Sequence, residues 1–122
     1  MARLSSSSAI YLQIQKFFEV EIASGRLKPG QKLETIRNLA MEFKVNPNTI
    51  QKSLQELERQ DLIYTDRTNG KFVTEDLEEI EKLNKKLIQE LITSFTLSAQ
   101  KLGMELETVE LLLRNTWKGR DV

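Results

Sequence analysis

The stretch Val45-Asn46-Pro47-Asn48-Thr49-Ile50-Gln51-Lys52 decides how this 122-residue sequence is read. Asn is a strong helix N-cap because its side-chain oxygen can accept a backbone N–H that has no partner in the first turn. Pro suits the first helical position, where its missing N–H is no loss. Ile50, Leu54 and Leu57 then recur at helical spacing through about Arg59. A helix therefore starts here, and its first turn and a half is crowded by Asn46, Asn48, Thr49, Gln51 and Lys52.

Upstream, Tyr11, Ile14, Phe18 and Ile22 recur every three or four positions between Ala9 and Ser24, which reads as an amphipathic helix with Ser8 as N-cap and Gly25 as its stop. Leu27-Lys28-Pro29-Gly30 is a Pro-Gly turn, followed by a brief extended piece at Gln31 to Leu33. Ile36, Leu39, Ala40 and Phe43 mark a second, short helix capped by Thr35, and the chain breaks at Lys44-Val45. Downstream, Leu62-Ile63-Tyr64-Thr65 and Lys71-Phe72-Val73-Thr74 have strand composition. Between them lies Asp66-Arg67-Thr68-Asn69-Gly70, whose Asn-Gly pair signals a hairpin because both residues tolerate positive φ.

The order helix, short strand, helix, tight turn, helix, hairpin is that of a winged helix-turn-helix domain, expected over residues 9–74. In that architecture the third helix enters the DNA major groove, which is about 12 Å wide and admits one helix, and the hairpin lies beside it as a wing. The residue types fit the task. Asn and Gln pair with adenine, Thr meets a phosphate or a thymine methyl, and Lys and Arg neutralise phosphates or read guanine. Arg67, Asn69, Gly70 and Lys71 supply such groups at the hairpin. The simpler alternative is that Asn46, Asn48 and Thr49 only cap a helix.

From Thr74-Glu75-Asp76 onward a second unit is expected, residues 75–120. Leu77, Ile80, Leu83, Leu87, Leu91, Phe95 and Leu102 make a stripe on a helix of roughly 25 residues, Gly103 interrupts, and Leu106, Val109, Leu112, Leu113 and Trp117 mark a final helix. Leu111, Leu112 and Leu113 are consecutive, so a single helical pair leaves apolar surface uncovered, and a second copy of the pair is the economical cover. The expected dimer interface comprises Leu83, Leu87, Leu91, Phe95, Leu106, Val109, Leu113 and Trp117; the alternative is that the helices fold back on their own winged domain. The fold class is thus mainly α (α+β), a winged helix-turn-helix followed by a two-helix dimerisation unit.

Composition narrows the chemistry. Cysteine and histidine are both absent, which removes thiolate metal sites, disulfides and the commonest general base, and no glycine-rich phosphate loop is present. No enzyme, cofactor or metal site is expected; the acidic run Glu75, Asp76, Glu78, Glu79 and Glu81 reads as a helix start whose charges oppose the dipole, against the alternative of a divalent-cation site. Trp117 and Phe95 read as packing residues, with a small-molecule pocket as the alternative. No apolar run approaches the roughly 20 residues of a membrane span, and Met1 to Ser8 lacks the apolar core of a signal peptide, so a cytoplasmic location is expected. The formal net charge of zero hides an asymmetry: residues 1–74 carry eleven Lys+Arg against eight Asp+Glu, and residues 75–122 carry seven against ten.

Several of these motifs together resemble the GntR family of bacterial transcription regulators. They are Ile10-Tyr11-Leu12-Gln13-Ile14, the segment from Gly25 to Leu33 through Pro29-Gly30, Ile36-Arg37-Asn38-Leu39-Ala40, and Val45 to Ile50. The Asn-Pro-Asn-Thr helix start and the short C-terminal part are similar to its YtrA-type subgroup. The resemblance implies a homodimer whose two winged domains read an inverted repeat in operator DNA, usually as a repressor. It places Arg37, Asn48, Thr49, Gln51 and Gly70 at the family's DNA-contact positions, with Lys52 and Arg67 on the same surface. Two departures stand out: Glu34 where many members have Pro, and Thr68 where the wing more often has a first glycine. A winged-helix module that docks a protein is the alternative function, although such a surface is expected to show apolar anchors.

Overall fold

A computed structural model of the chain describes residues 7–120, with side chains described over 10–119. The reading of Met1 to Ser8 falls mostly on residues outside that part, and Ser8, expected as an N-cap, lies inside the first helix, which begins at Ser7. Five helices and one hairpin follow in order: α1 (Ser7–Ser24), α2 (Ile36–Phe43), α3 (Pro47–Arg59), β1 (Ile63–Asp66), β2 (Gly70–Val73), α4 (Leu77–Lys101) and α5 (Leu106–Arg120). The structure forms two compact units, residues up to Lys85 and residues from Lys86 onward.

In the first unit the helix starts are set by side chains. Thr35 has extended backbone and accepts the Asn38 N–H, which opens α2. Asn46 does the same for α3, with Asn48 N–H donating to Asn46 Oδ1 at 2.7 Å and Pro47 in the first turn. Between them Lys44 takes the left-handed conformation, φ 60 and ψ 49, and its N–H and that of Val45 both donate to Ala40 O, a compact C-terminal turn. The core draws one face from each element: Ile14, Phe18 and Ile22 of α1, Leu39 and Ala40 of α2, and Ile50, Leu54 and Leu57 of α3, joined by Leu33, Leu62, Ile63 and Val73. Each of these side chains except that of Ala40 stabilises the fold by about 1.5–3 kcal/mol through its removal from water. Ser53, fully buried in α3, donates to Tyr11 O at 2.7 Å and so fixes α3 against α1 without a stranded polar group. Glu19, also buried, receives the side-chain amides of Gln15 and Gln60 at 3.2 Å each.

β1 and β2 pair antiparallel with Tyr64 opposite Phe72 and Asp66 opposite Gly70. The piece at Gln31 to Leu33 joins as a third, short strand through a Lys32–Phe72 bridge, with Leu33 N–H donating to Lys71 O and Val73 N–H to Gln31 O. The expected hairpin forms, but its turn uses the Asn-Gly pair in part only. Its loop is Arg67-Thr68-Asn69, and of the Asn-Gly pair only Gly70 has positive φ, 108°. Asp66 is the reason: its Oδ1 accepts the backbone N–H groups of Thr68 and Asn69 and the Thr68 hydroxyl, and its Oδ2 accepts Asn69 Nδ2. A side chain that satisfies the turn locally leaves one left-handed residue to close it, and glycine takes that place.

The first unit extends into α4. Asn84 Nδ2 donates to Ala23 O at 3.0 Å, and Leu83 is 4% exposed. Leu83, expected at a dimer interface, is therefore a core residue of the first unit, because the start of α4 is fastened beside the end of α1.

The second unit consists of the rest of α4, a turn at Leu102-Gly103 and α5. Among its residues Leu91, Phe95, Leu106, Leu113 and Trp117 are exposed, Trp117 to 68%, while Leu87 and Val109 are partly covered. An open apolar groove of about 410 Å³ runs between the helices, lined by Phe95, Ala99, Leu102, Val109 and Leu113 among others.

Candidate nucleic-acid interface

The face of α3 turned away from the core is polar throughout. With Ile50, Ser53, Leu54 and Leu57 buried, the opposite side carries Asn48, Gln51, Lys52, Gln55 and Arg59, all exposed. The side chains of Asn48 and Gln51 make no hydrogen bond among the described residues, so their amides are available to an outside partner. Lys52 lies over the Tyr11 ring, Nζ 4.3 Å from its centroid, which steadies the stem of the cation near the α1 surface. Arg59 is paired to Glu56; this ion pair holds the Glu56 carboxyl below its ordinary range and the Arg59 guanidinium above its own. Thr49 is half-buried at the helix start, and Asn46 uses its side-chain oxygen as the cap. Asn46 is thus a capping residue by geometry, and its side-chain N–H groups have no partner among the described residues.

The electrostatics at the two ends of the domain contrast. Neither α2 nor α3 has an acidic residue in its first turn, whereas α4 starts with Glu78 and Glu79. A helix N-terminus carries about half a positive charge, so the start of α3, where Asn46 takes up the N–H groups of Asn48, Thr49 and Ile50 but no acid stands beside the dipole, favours an anion, and the start of α4 is already compensated. Near the start of α2, Arg37 is exposed and unpaired among the described residues. Glu34, the acidic departure from the family pattern, accepts Asn38 Nδ2 at 3.1 Å.

The wing is tied to α3 through three side chains. Lys71 Nζ donates to Thr65 Oγ1 at 2.7 Å and pairs with Glu58 Oε1 at 3.3 Å, and Thr65 Oγ1 donates to the same carboxylate oxygen at 3.1 Å. Glu58 lies seven residues beyond Gln51, almost two full helical turns, so both project from the same side of α3. The hairpin is therefore held on the side from which Gln51 projects, about 15 Å along the axis from Asn48. At the tip, Arg67 is exposed and unpaired among the described residues, and Asn69 and Thr68 are held by Asp66, whose carboxyl is kept below the usual aspartate range first by the Thr68 backbone amide and then by the Asn69 and Thr68 side chains. Thr68, in place of a glycine, thus adds a hydroxyl hydrogen bond to the turn.

Two polar residues outside the expected set belong to these surfaces. Gln55 extends the α3 stripe at i+4 from Gln51 and i+7 from Asn48, a spacing visible in the sequence. Lys32 sits on the third strand beside the wing, and only the Lys32–Phe72 pairing brings it there.

An uncompensated, amide-rich helix start with a hairpin held on one flank defines a winged helix-turn-helix DNA-binding regulator. The chain belongs to the gntR family of bacterial regulatory proteins, whose sequence profile matches residues 10–73; these are transcription regulators and not enzymes. It is 37% identical to the HTH-type transcriptional regulator YhcF of Bacillus subtilis over 86% of this chain and 87% of that protein. It is 36% identical to the HTH-type transcriptional repressor YtrA of the same species, over 84% and 79%. Among solved structures, a GntR family transcriptional regulator from Listeria monocytogenes superposes with a TM-score of 0.85 at 35% identity, covering 94% of this chain and 98% of that one. The DNA-binding domain of AraR in complex with its operator superposes with a TM-score of 0.52 at 29% identity, over 61% and 92%. Among the described residues no helix is long and apolar enough to cross a membrane.

Proposed function

We propose that the chain represses transcription in the cytoplasm by binding an inverted-repeat operator as a homodimer, with the start of α3 in the major groove and the wing against the flanking backbone. In this reading Asn48, Thr49 and Gln51 meet base edges, while Arg37, Lys52, Arg67, Asn69 and Gly70 meet the phosphates or the neighbouring groove, and the Asn46 amide assists at the helix start. The observation that carries it is the α3 N-terminus: free of carboxylates in its first turn, bordered by the side-chain amides of Asn48 and Gln51, which have no partner among the described residues, and flanked by a hairpin on the Gln51 side. The repressor assignment is supported by the similarity to YtrA, which bears that description, and the operator assignment by the likeness to the AraR domain bound to its operator.

Dimerisation is supported by the second unit. Leu91, Phe95, Leu106, Leu113 and Trp117, together with Ile88, Ile92, Leu102 and Leu112, are large apolar side chains of α4, α5 and the turn between them that stand exposed in the single chain, and a cluster of this kind marks an interaction surface. A second copy covers it with matching chemistry. Residues 9–74 act as the reading domain and 75–120 as the dimerisation unit, with Leu83 assigned to the core of the former's compact unit.

The test is a selection of bound duplexes from a random pool by the intact protein, repeated at two salt concentrations. A palindromic site whose affinity falls steeply with salt is the expected result. No enrichment sinks the DNA-binding reading, and an asymmetric single half-site sinks the dimer.

A further inference from the structure

The wing carries two lysines, and the fold gives them opposite surroundings. Lys71 projects from the face of the hairpin that also carries Thr65, and its ammonium is occupied by Thr65 and by Glu58 of α3. Moving it to a phosphate leaves the Glu58 carboxylate unpaired beside an anionic ligand. Lys32 lies on the other face. It is opposite Phe72 in the antiparallel bridge, and residues paired across a sheet project from one side, so Lys32 shares its face with Phe72 and Gly70. Its Cε passes 3.3 Å from where a Cβ on Gly70 would stand, so the absence of a side chain there lets the lysine stem lie along the wing toward the tip. Lys32 is exposed and has no ion pair or side-chain hydrogen bond among the described residues.

We propose that, of the two lysines at the wing, Lys32 binds a phosphate, in addition to Arg67 at the tip, and that Lys71 is a positioning residue that fixes the wing against α3. The proposal rests on the DNA-binding reading and adds to it the division of labour between the two lysines. A flexible ammonium with no internal partner neutralises a phosphate and releases a counterion; one already neutralised by Glu58 releases none.

The experiment uses the full chain and a duplex recovered by the selection above, with binding measured across a range of salt concentrations. Lys32→Gln is expected to lower the slope of log K against log salt by about 0.9 for each wing engaged, about 1.8 for a dimer on two half-sites. Lys32→Glu lowers it at least as far, and Lys32→Arg retains the parent slope. Lys71→Gln is expected to weaken binding severalfold at an unchanged slope, and adding Glu58→Gln restores the affinity, because the carboxylate left unpaired is then gone. An unchanged slope for both Lys32→Gln and Lys32→Glu, or a slope that flattens on Lys71→Gln, overturns the assignment while DNA binding by the parent stands. Absence of any salt-dependent binding by the parent overturns the DNA-binding reading itself, and this assignment with it.

Discussion

Replacing Asn46 by Asp separates the folding role of this residue from its place at the DNA surface. Asn and Asp cap helices about equally well, so the bond from Asn48 N–H to the side-chain oxygen at position 46, 2.7 Å in the parent, is retained. The new charge also lies at the positive end of the α3 dipole, whose first turn holds no other acid, and adds about 0.3–1 kcal/mol of stability. The melting temperature should therefore stay level or rise by a few degrees. Binding should move the other way. A unit charge about 5 Å from a phosphate is repelled by about 1–3 kcal/mol as the effective dielectric runs from that of water to about 20, which converts to a loss of about 5- to 150-fold in affinity. Asn46→Ser retains a cap without the charge and should bind close to the parent. Thermal melting followed by circular dichroism and fluorescence anisotropy on the selected duplex at fixed salt read the two effects separately. If Asn46→Asp melts no lower than the parent and also binds as tightly, no phosphate lies near the start of α3 and the proposed docking is wrong.

Glu34→Gln removes a negative charge beside α2 while the side chain can still accept from Asn38, so affinity for the same duplex should rise about fivefold, the equivalent of about 1 kcal/mol; a fall would place Glu34 among the base readers. Leu91→Glu charges a side chain that is 66% exposed in the single chain, so the protomer should fold normally but sediment as a monomer with weakened operator binding; an unaltered mass by light scattering contradicts the interface. The Asp66 turn should outlast mild acid. Its folded carboxyl titrates below the ordinary value of 3.8, so its contribution to stability is complete above that value and is lost as pH falls through the lower folded one. The amide resonances of Thr68 and Asn69 should report a midpoint below 3.8, and a midpoint at or above it shows that the turn bonds do not form in solution.

What the sequence made legible was local. Thr35 and Asn46 cap the helices they precede because the capping bond spans only two or three residues, and the apolar spacing of Ile50, Leu54 and Leu57 fixed which side of α3 faces inward. What it hid depended on partners distant in the chain or on competition between local solutions. Lys71 looked like a free cation because Glu58, thirteen residues earlier, meets it only once α3 and the hairpin pack. Lys32 drew no notice because its neighbour Gly70 comes from the opposite end of the domain. Leu83 keeps the same periodicity as Leu87 and Leu91; spacing identifies an apolar face but not what covers it. The Asn-Gly signal was real, yet the carboxylate of Asp66 settled the turn first.

That carboxylate has a kinetic consequence. Because four donors converge on Asp66, the tip of the hairpin is ordered before any duplex arrives, and the entropy of arranging Arg67 to Asn69 is lost during folding and not during encounter. Association then resembles the meeting of rigid bodies, with an on-rate governed by charge and orientation, and differences between operators are expressed chiefly in how long each complex survives.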